Sequence, residues 1–156
     1  MSLHNNINIR YAKLTDARAI SDLINEYAKK GIMLSKPLET VIEGIRNFFV
    51  AEEGSEIIGC CAVAFFTEEL AEIRSIAVQE KHQKNGIGKL LVAKAEEILK
   101  YEGIKSVFAL TYQEEFFTKL GYTKVDKTKF PQKIWRDCLA CAKIMQCDEI
   151  AMEKIL

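Results

Sequence analysis

Ala71-Glu72-Ile73-Arg74-Ser75-Ile76-Ala77-Val78, followed after four polar residues by Gln83-Lys84-Asn85-Gly86-Ile87-Gly88-Lys89, decides how this chain is read. The first stretch alternates enough for a strand with one functional face. The second is polar and carries two glycines, and beyond it Leu91, Ala95, Ile98 and Leu99 give helical spacing up to a stop at Gly103. A strand, a glycine turn and a helix start in succession bring backbone N–H groups and the helix dipole to one point, which favours an anion. A P-loop would need a glycine, four residues, then Gly-Lys and a Ser or Thr, whereas here the first glycine is missing and Leu90 follows Lys89. A dinucleotide fingerprint fails as well, since it takes three glycines and a downstream acid in the first βα unit of a parallel domain. Taken alone, Gly86 and Gly88 describe any loop that turns into a helix.

Outward from this segment, Ile57 to Phe66 is almost wholly apolar and pairs as a hairpin with Phe48 to Ala51 across the turn Glu53-Gly54-Ser55. Further back, Ile7, Ile9 and Tyr11 alternate as a short strand. Thr15 stands as the N-cap of a helix with Ile20, Leu23, Ile24 and Tyr27 on one face and a stop at Gly31, and a second helix is expected from Thr40 to Asn47. Downstream, Ser106 to Thr111 is a strand, Phe116, Phe117 and Leu120 suit a short helix capped by Gly121, and Tyr122 to Val125 is a further strand. The tail from Lys127 is less regular, with Asp148 to Met152 as a candidate last strand. The order β-α-α-β-β-β-α-β-α-β describes a mixed sheet with helices on its faces, of the α/β (α+β) class.

The 156 residues are expected to form a single domain, 1–156, long enough to bury roughly two-thirds of its unfolded surface. Lys plus Arg and Asp plus Glu are both 22, so no basic surplus is available for nucleic acid or an anionic membrane, and any anion must be bound locally. No segment approaches the ~18 consecutive apolar residues of a membrane span, and no basic and apolar leader opens the chain. A cytoplasmic protein is expected, with its five cysteines as thiols rather than a disulfide framework.

Gln83-x-x-Gly86-x-Gly88, set between that strand and an amphipathic helix, resembles the acyl-CoA motif of the GNAT superfamily of N-acetyltransferases. Four further blocks are more specific: Ala71 to Val78; Val107-Phe108-Ala109-Leu110-Thr111-Tyr112; Phe116-Phe117 with Gly121-Tyr122; and Lys133-Ile134-Trp135-Arg136-Asp137-Cys138. Together they resemble the amino-acid N-acetyltransferases of arginine biosynthesis in a short form without a kinase domain. The resemblance implies a mixed, mostly antiparallel central sheet flanked by helices, and acetyl-CoA as cosubstrate. It also implies that Ile76, Ala77 and Val78 lend main-chain groups to the pantetheine arm, that Gln83, Lys84, Asn85, Gly86, Ile87, Gly88 and Lys89 hold the pyrophosphate, and that Phe117 lies at the cofactor end.

An α-amine must lose a proton before it can attack a thioester, so a base is needed directly or through water. Glu72 is the candidate: a carboxylate in mid-strand is out of place unless its face opens onto a cleft or solvent, and the superfamily often carries a glutamate here. The plainer alternative is an exposed Glu on a sheet rim or the ion-pair partner of Arg74. Two residues on, Arg74 points to the same side by alternation and its guanidinium can fork onto the acceptor's carboxylate. Many superfamily members place a Tyr four residues before the glycine of the short helix to protonate the leaving thiolate; here that position is Phe117, and Tyr112 is the alternative donor. Trp135 and Arg136 are candidates for closing the acceptor pocket on a second carboxylate, or else an anchor beside a solvated charge pair.

No metal is expected, because Cys138, Cys141 and Cys147 lack a fourth ligand at a suitable spacing and His82 belongs to the glycine loop. Cys60 and Cys61 read as small hydrophobes of an apolar strand. The expected partner is a small amino acid, with no nucleic acid and no membrane; a homodimer is a common state for soluble enzymes. L-glutamate is the favoured acceptor. L-glutamine, a polyamine, an aminoglycoside or a protein N-terminus stand as alternatives within the same chemistry, and an acyl-CoA sensor without turnover stands outside it.

Overall fold

A strand whose residues are buried in succession has both faces covered and must be paired along its edges to satisfy its backbone. In the computed structural model, which describes residues 6–130 and 148–156, the apolar run forms such a strand, β3 (Glu56–Phe65), buried without a break from Ile58 to Ala64. Around it lie β1 (Ile7–Tyr11), β2 (Phe48–Glu53), β4 (Leu70–Val78), β5 (Ser106–Thr111), β6 (Thr123–Val125) and β7 (Ile150–Ile155). The helices are α1 (Ala17–Ala28), α2 (Leu38–Glu43), α3 (Ile87–Tyr101) and α4 (Glu114–Lys119). Seven strands form one sheet in the order β1-β2-β3-β4-β5-β7-β6. The sheet is mixed and mostly antiparallel, with β4 and β5 the parallel pair and α3 the crossover between them.

Several boundaries differ from the sequence reading. Asp16, not Thr15, prepares the entry to α1: its carboxylate accepts from the Lys13 N–H at 2.7 Å and from Arg10, and the chain makes a short 3-10 turn, Leu14–Asp16, before the α-helix begins. The segment expected as one helix from Thr40 to Asn47 breaks at Gly44 into α2 and a 3-10 turn, Ile45–Asn47. The largest difference is β7. It runs to Ile155 and lies between β5 and β6, pairing Ser106↔Ile155 through Thr111↔Ile150 on one side and Thr123↔Glu153 through Val125↔Ala151 on the other. The order therefore gains a seventh strand, and the last element in sequence is an inner strand of the sheet.

By packing, the chain divides into two compact units, residues 1–64 with 73–98 and residues 65–72 with 99–156. In the first, the stripe Ile20, Leu23, Ile24 and Tyr27 of α1 joins Val41, Phe48, Val50, Cys60 and Ala77 in one apolar cluster. Arg10 on the edge strand β1 is held by two carboxylates, Asp16 at 2.8 Å and Glu52 of β2 at 2.9 Å. In the second, Phe108 of β5 stacks on Phe130 with ring centroids 4.1 Å apart, and Phe66, Leu70, Leu110 and Val125 pack around the pair. Buried Glu153 on β7 accepts from Ser106 Oγ at 2.8 Å and pairs with Lys129.

Candidate active site

Strand β4 supplies residues to both units. In the first, its course is interrupted at Ser75, whose φ of 54° is in the left-handed region. A non-glycine residue there costs of the order of 1–3 kcal/mol, and such strain is concentrated at functional sites. Burial along the strand follows the interruption. Ala71, Glu72 and Ile73 are buried, Arg74, Ser75 and Ile76 half-buried, Ala77 and Val78 buried again. Simple alternation therefore does not carry past Ser75. The Ser75 carbonyl accepts from Cys60 Sγ at 3.4 Å.

At the end of β4 the Gln79 N–H donates to the Ile58 carbonyl at 2.8 Å, which fixes where the strand stops. A 3-10 turn, Glu80–Asn85, follows, then Gly86 at φ 77°, then α3. The bond from the Leu90 N–H to the Gly86 carbonyl, 3.1 Å, opens the α-helical ladder, so the N–H groups of Ile87, Gly88 and Lys89 precede it. The helix start is rooted by Ile87 and Leu91, both buried, while Lys84 and Lys89 are exposed beside it. A left-handed glycine, three leading N–H groups, a helix N-terminus and two flanking cations fit a diphosphate.

Two residues that the sequence reading treated as apolar or passed over support this turn. Tyr27 of α1 donates its hydroxyl to the Val78 carbonyl and accepts from Gln83 Nε2 at 2.7 Å. Gln83 thus bonds α1, and of the Val78 main-chain groups the carbonyl accepts from Tyr27. Gly59 of β3 is the second: a β carbon there would stand 3.2 Å from Leu91 Cδ1 and 3.3 Å from Ile87 Cγ2. An isolated glycine in an apolar strand was its signal. Ser75 left no such mark, since serine is not a residue that favours positive φ. His82, in the same turn, has a buried Nε2 that lies 3.8 Å from Glu53 Oε1.

In the second unit, Glu72 is 2% exposed and stands in register with Phe108 of β5, between buried Ala71 and Ile73. This removes the exposed-rim reading, because a solvated glutamate would not be enclosed. Tyr112 is half-buried and donates to Asp148 Oδ1 at 2.7 Å. Phe117 is 1% exposed and makes edge contacts with Phe116 and Tyr122, both at 5.1 Å between ring centroids, so its ring is part of the packing. Trp135, Arg136 and the three cysteines Cys138, Cys141 and Cys147 lie outside the described residues. Cys60 and Cys61 are buried; desolvation pushes the Cys60 thiol up to about 12 and that of Cys61 well above its usual value. Among the described residues, no group of three or more His, Cys, Asp or Glu is placed to hold a metal ion, and no helix is long and apolar enough to cross a membrane.

Residues 44–124 match the acetyltransferase (GNAT) domain family, and the chain is 55% identical to an uncharacterised N-acetyltransferase of Chlorobaculum tepidum over 95% of its own length and 96% of that protein's. The chain belongs to the GNAT acetyltransferase family. It is an acetyl-CoA-dependent N-acetyltransferase, and the strand, turn and helix just described lie within the family match. An amino-acid acetyltransferase of Mycobacterium tuberculosis is 32% identical over 81% of this chain and 74% of that protein. Among solved structures, Rv2747 of M. tuberculosis in complex with CoA and NLQ superposes with a TM-score of 0.82 at 27% identity, covering 96% of this GNAT chain and 99% of that one. The fold is also that of N-acetylglutamate synthase from Neisseria gonorrhoeae complexed with coenzyme A and N-acetyl-glutamate, TM-score 0.84 at 24% identity, of which this chain covers 35%.

Proposed function

We propose that this GNAT enzyme transfers acetyl to the α-amine of a free amino acid, L-glutamate being favoured, with the whole chain acting as one acetyltransferase domain. The observation that carries the reading is the enclosed carboxylate of Glu72 on β4, two residues before the half-buried Arg74 and three before the strained Ser75. A carboxylate enclosed in a strand is a candidate functional group, and a guanidinium two residues on matches a carboxylate acceptor. The amino-acid acetyltransferase relative supports the acceptor class.

Acetyl-CoA brings an acyl group activated as a thioester. The helix start at Ile87, Gly88 and Lys89, with Gln83, Lys84, Asn85 and Gly86, holds the pyrophosphate; Ile76, Ala77 and Val78 line the arm through their backbones. Glu72 takes the proton that the ammonium form of the acceptor must lose. Arg74 binds the α-carboxylate, and Trp135 and Arg136 are the proposed groups for a second carboxylate. As the amine nitrogen bonds to the acyl carbon the carbon–sulfur bond breaks, the nitrogen gives up its second proton to water, and the thiolate takes a proton from water directly or from Tyr112, which water then reprotonates, since buried Phe117 has none to give. Coenzyme A release from acetyl-CoA, read with a thiol reagent against L-glutamate, L-glutamine, L-aspartate, spermidine and an aminoglycoside, tests this directly. Turnover confined to acidic or amide amino acids supports it; turnover with spermidine alone refutes the acceptor class, and acetyl-CoA binding without any turnover favours the sensor.

A further inference from the structure

The inward face of α1 is hydrocarbon at Ala17, Ile20, Leu23 and Ile24 and polar at two positions, Ser21, which donates to the Lys36 carbonyl at 3.0 Å, and Tyr27. Tyr27 adds one hydroxyl, and that hydroxyl joins two points of the chain five residues apart. It donates to the Val78 carbonyl where β4 ends and accepts from Gln83 Nε2 where the glycine turn begins. Gln83 Nε2 also lies 3.4 Å from the Val78 carbonyl, so the three groups close on one another. Just beyond α1, Lys30 sits 5.5 Å over the Tyr27 ring, with its Nζ 3.8 Å from Glu80 Oε2 in an exposed pair. Burial raises the Tyr27 hydroxyl's ionisation range, which keeps it a donor.

We propose that Tyr27 is a positioning residue for acetyl-CoA: by tying the end of β4 to Gln83 it sets the orientation of the turn whose N–H groups receive the pyrophosphate. Phenylalanine would fill the same volume but could neither donate to Val78 nor accept from Gln83, leaving the turn to sample orientations that must be frozen when the cosubstrate binds. The inference rests on the reading that residues 83–89 hold the pyrophosphate, and does not depend on which amine is the acceptor.

Steady-state kinetics of the full-length enzyme test it. Tyr27→Phe raises the KM for acetyl-CoA about fivefold to tenfold, the scale of one or two lost hydrogen bonds, while kcat and the acceptor KM stay within about twofold. Gln83→Ala, on an exposed side chain that folding does not need, gives a similar rise, and the double variant is no worse than either single one. Leu23→Ala, one turn earlier on α1, lowers Tm but leaves the KM for acetyl-CoA unchanged. Gly86→Val separates the two readings. If it leaves acetyl-CoA binding intact, the loop assignment falls and Tyr27 with it; if it weakens binding while Tyr27→Phe and Gln83→Ala do not, the role of Tyr27 alone is refuted. A Tyr27→Phe enzyme that only loses Tm, as Leu23→Ala does, also overturns it.

Discussion

Gly59 of β3 and Leu91 of α3 meet closely: a β carbon added at Gly59 would lie 3.2 Å from Leu91 Cδ1 and 3.3 Å from the Ala77 carbonyl oxygen, so its neighbours would have to yield by a few tenths of an ångström. The start of α3 is therefore seated by the absence of a side chain on the neighbouring strand. Gly59→Ala must push Leu91, Ile87 or the backbone of β4 aside. Overpacking of this kind costs about 1–3 kcal/mol, and here it also displaces the helix start. Urea denaturation is expected to show the stability loss, and kinetics a raised KM for acetyl-CoA with the acceptor KM unchanged. A stable Gly59→Ala enzyme with wild-type kinetics would show that α3 is not seated so tightly.

Removing the proposed base should separate chemistry from binding. Glu72→Gln keeps the size of an enclosed side chain, and general-base assistance is worth about 10²–10⁴-fold. We expect kcat to fall on that scale with acetyl-CoA affinity, measured by calorimetry, essentially unchanged. A fall below tenfold would transfer the role to another group.

Arg74 should govern the acceptor. A guanidinium that forks onto a carboxylate is replaced poorly by an ammonium, so Arg74→Lys raises the acceptor KM, and Arg74→Ala raises it further, by about 10- to 100-fold. The KM for acetyl-CoA is the internal control. Equal changes in both constants would make Arg74 a structural residue of β4.

The network at the β1 edge predicts an acid-sensitive stability. Hydrogen bonds from Arg10 hold the carboxyls of Asp16 and Glu52 below the usual carboxylate range. With folded values depressed, this stabilisation is complete above the unfolded carboxylate range, near pH 4, and is lost as pH falls through the lower folded values. Arg10→Ala should lower Tm by several degrees at pH 7, and the gap to the wild type should close as pH is taken well below 4. A gap that persists in acid would show that packing of the Arg10 stem, not its charge, is responsible.

Cys60 and Cys61 should be silent in the thiol assay that reads coenzyme A release. Both are buried and held protonated by desolvation, and the thiolate is the reactive form. Iodoacetamide at pH 8 followed by peptide mass mapping is expected to label neither in the native protein and both in urea. Rapid native labelling of either would mean that β3 opens readily.

Much of the fold is legible along the chain because it is written in short-range periodicity. Ile20, Leu23, Ile24 and Tyr27 repeat at helical spacing and do form the buried stripe of α1; Ile58 to Ala64 is apolar throughout and is an inner strand. Gly31, Gly103 and Gly121 mark turns that take positive φ. The strand, glycine turn and helix order that points to acyl-CoA is likewise local, as is the block resemblance that names the family. Glu72 stands out by its misplacement, a charge in an apolar strand, and by the resemblance to a superfamily that often carries a glutamate there.

What the sequence could not decide depends on partners far along the chain. β7 is recognisable only as a short apolar run after Asp148, and its seat between β5 and β6 follows from which edges it pairs, a choice made by register rather than composition. Tyr27 looks like one more apolar residue until folding brings its hydroxyl to Val78 and Gln83, 51 and 56 residues away. The left-handed Ser75 has no local cause in a serine; it persists because the surrounding backbone over-determines it. Local periodicity selected the elements, and long-range hydrogen bonds and close packing decided how the elements become a site.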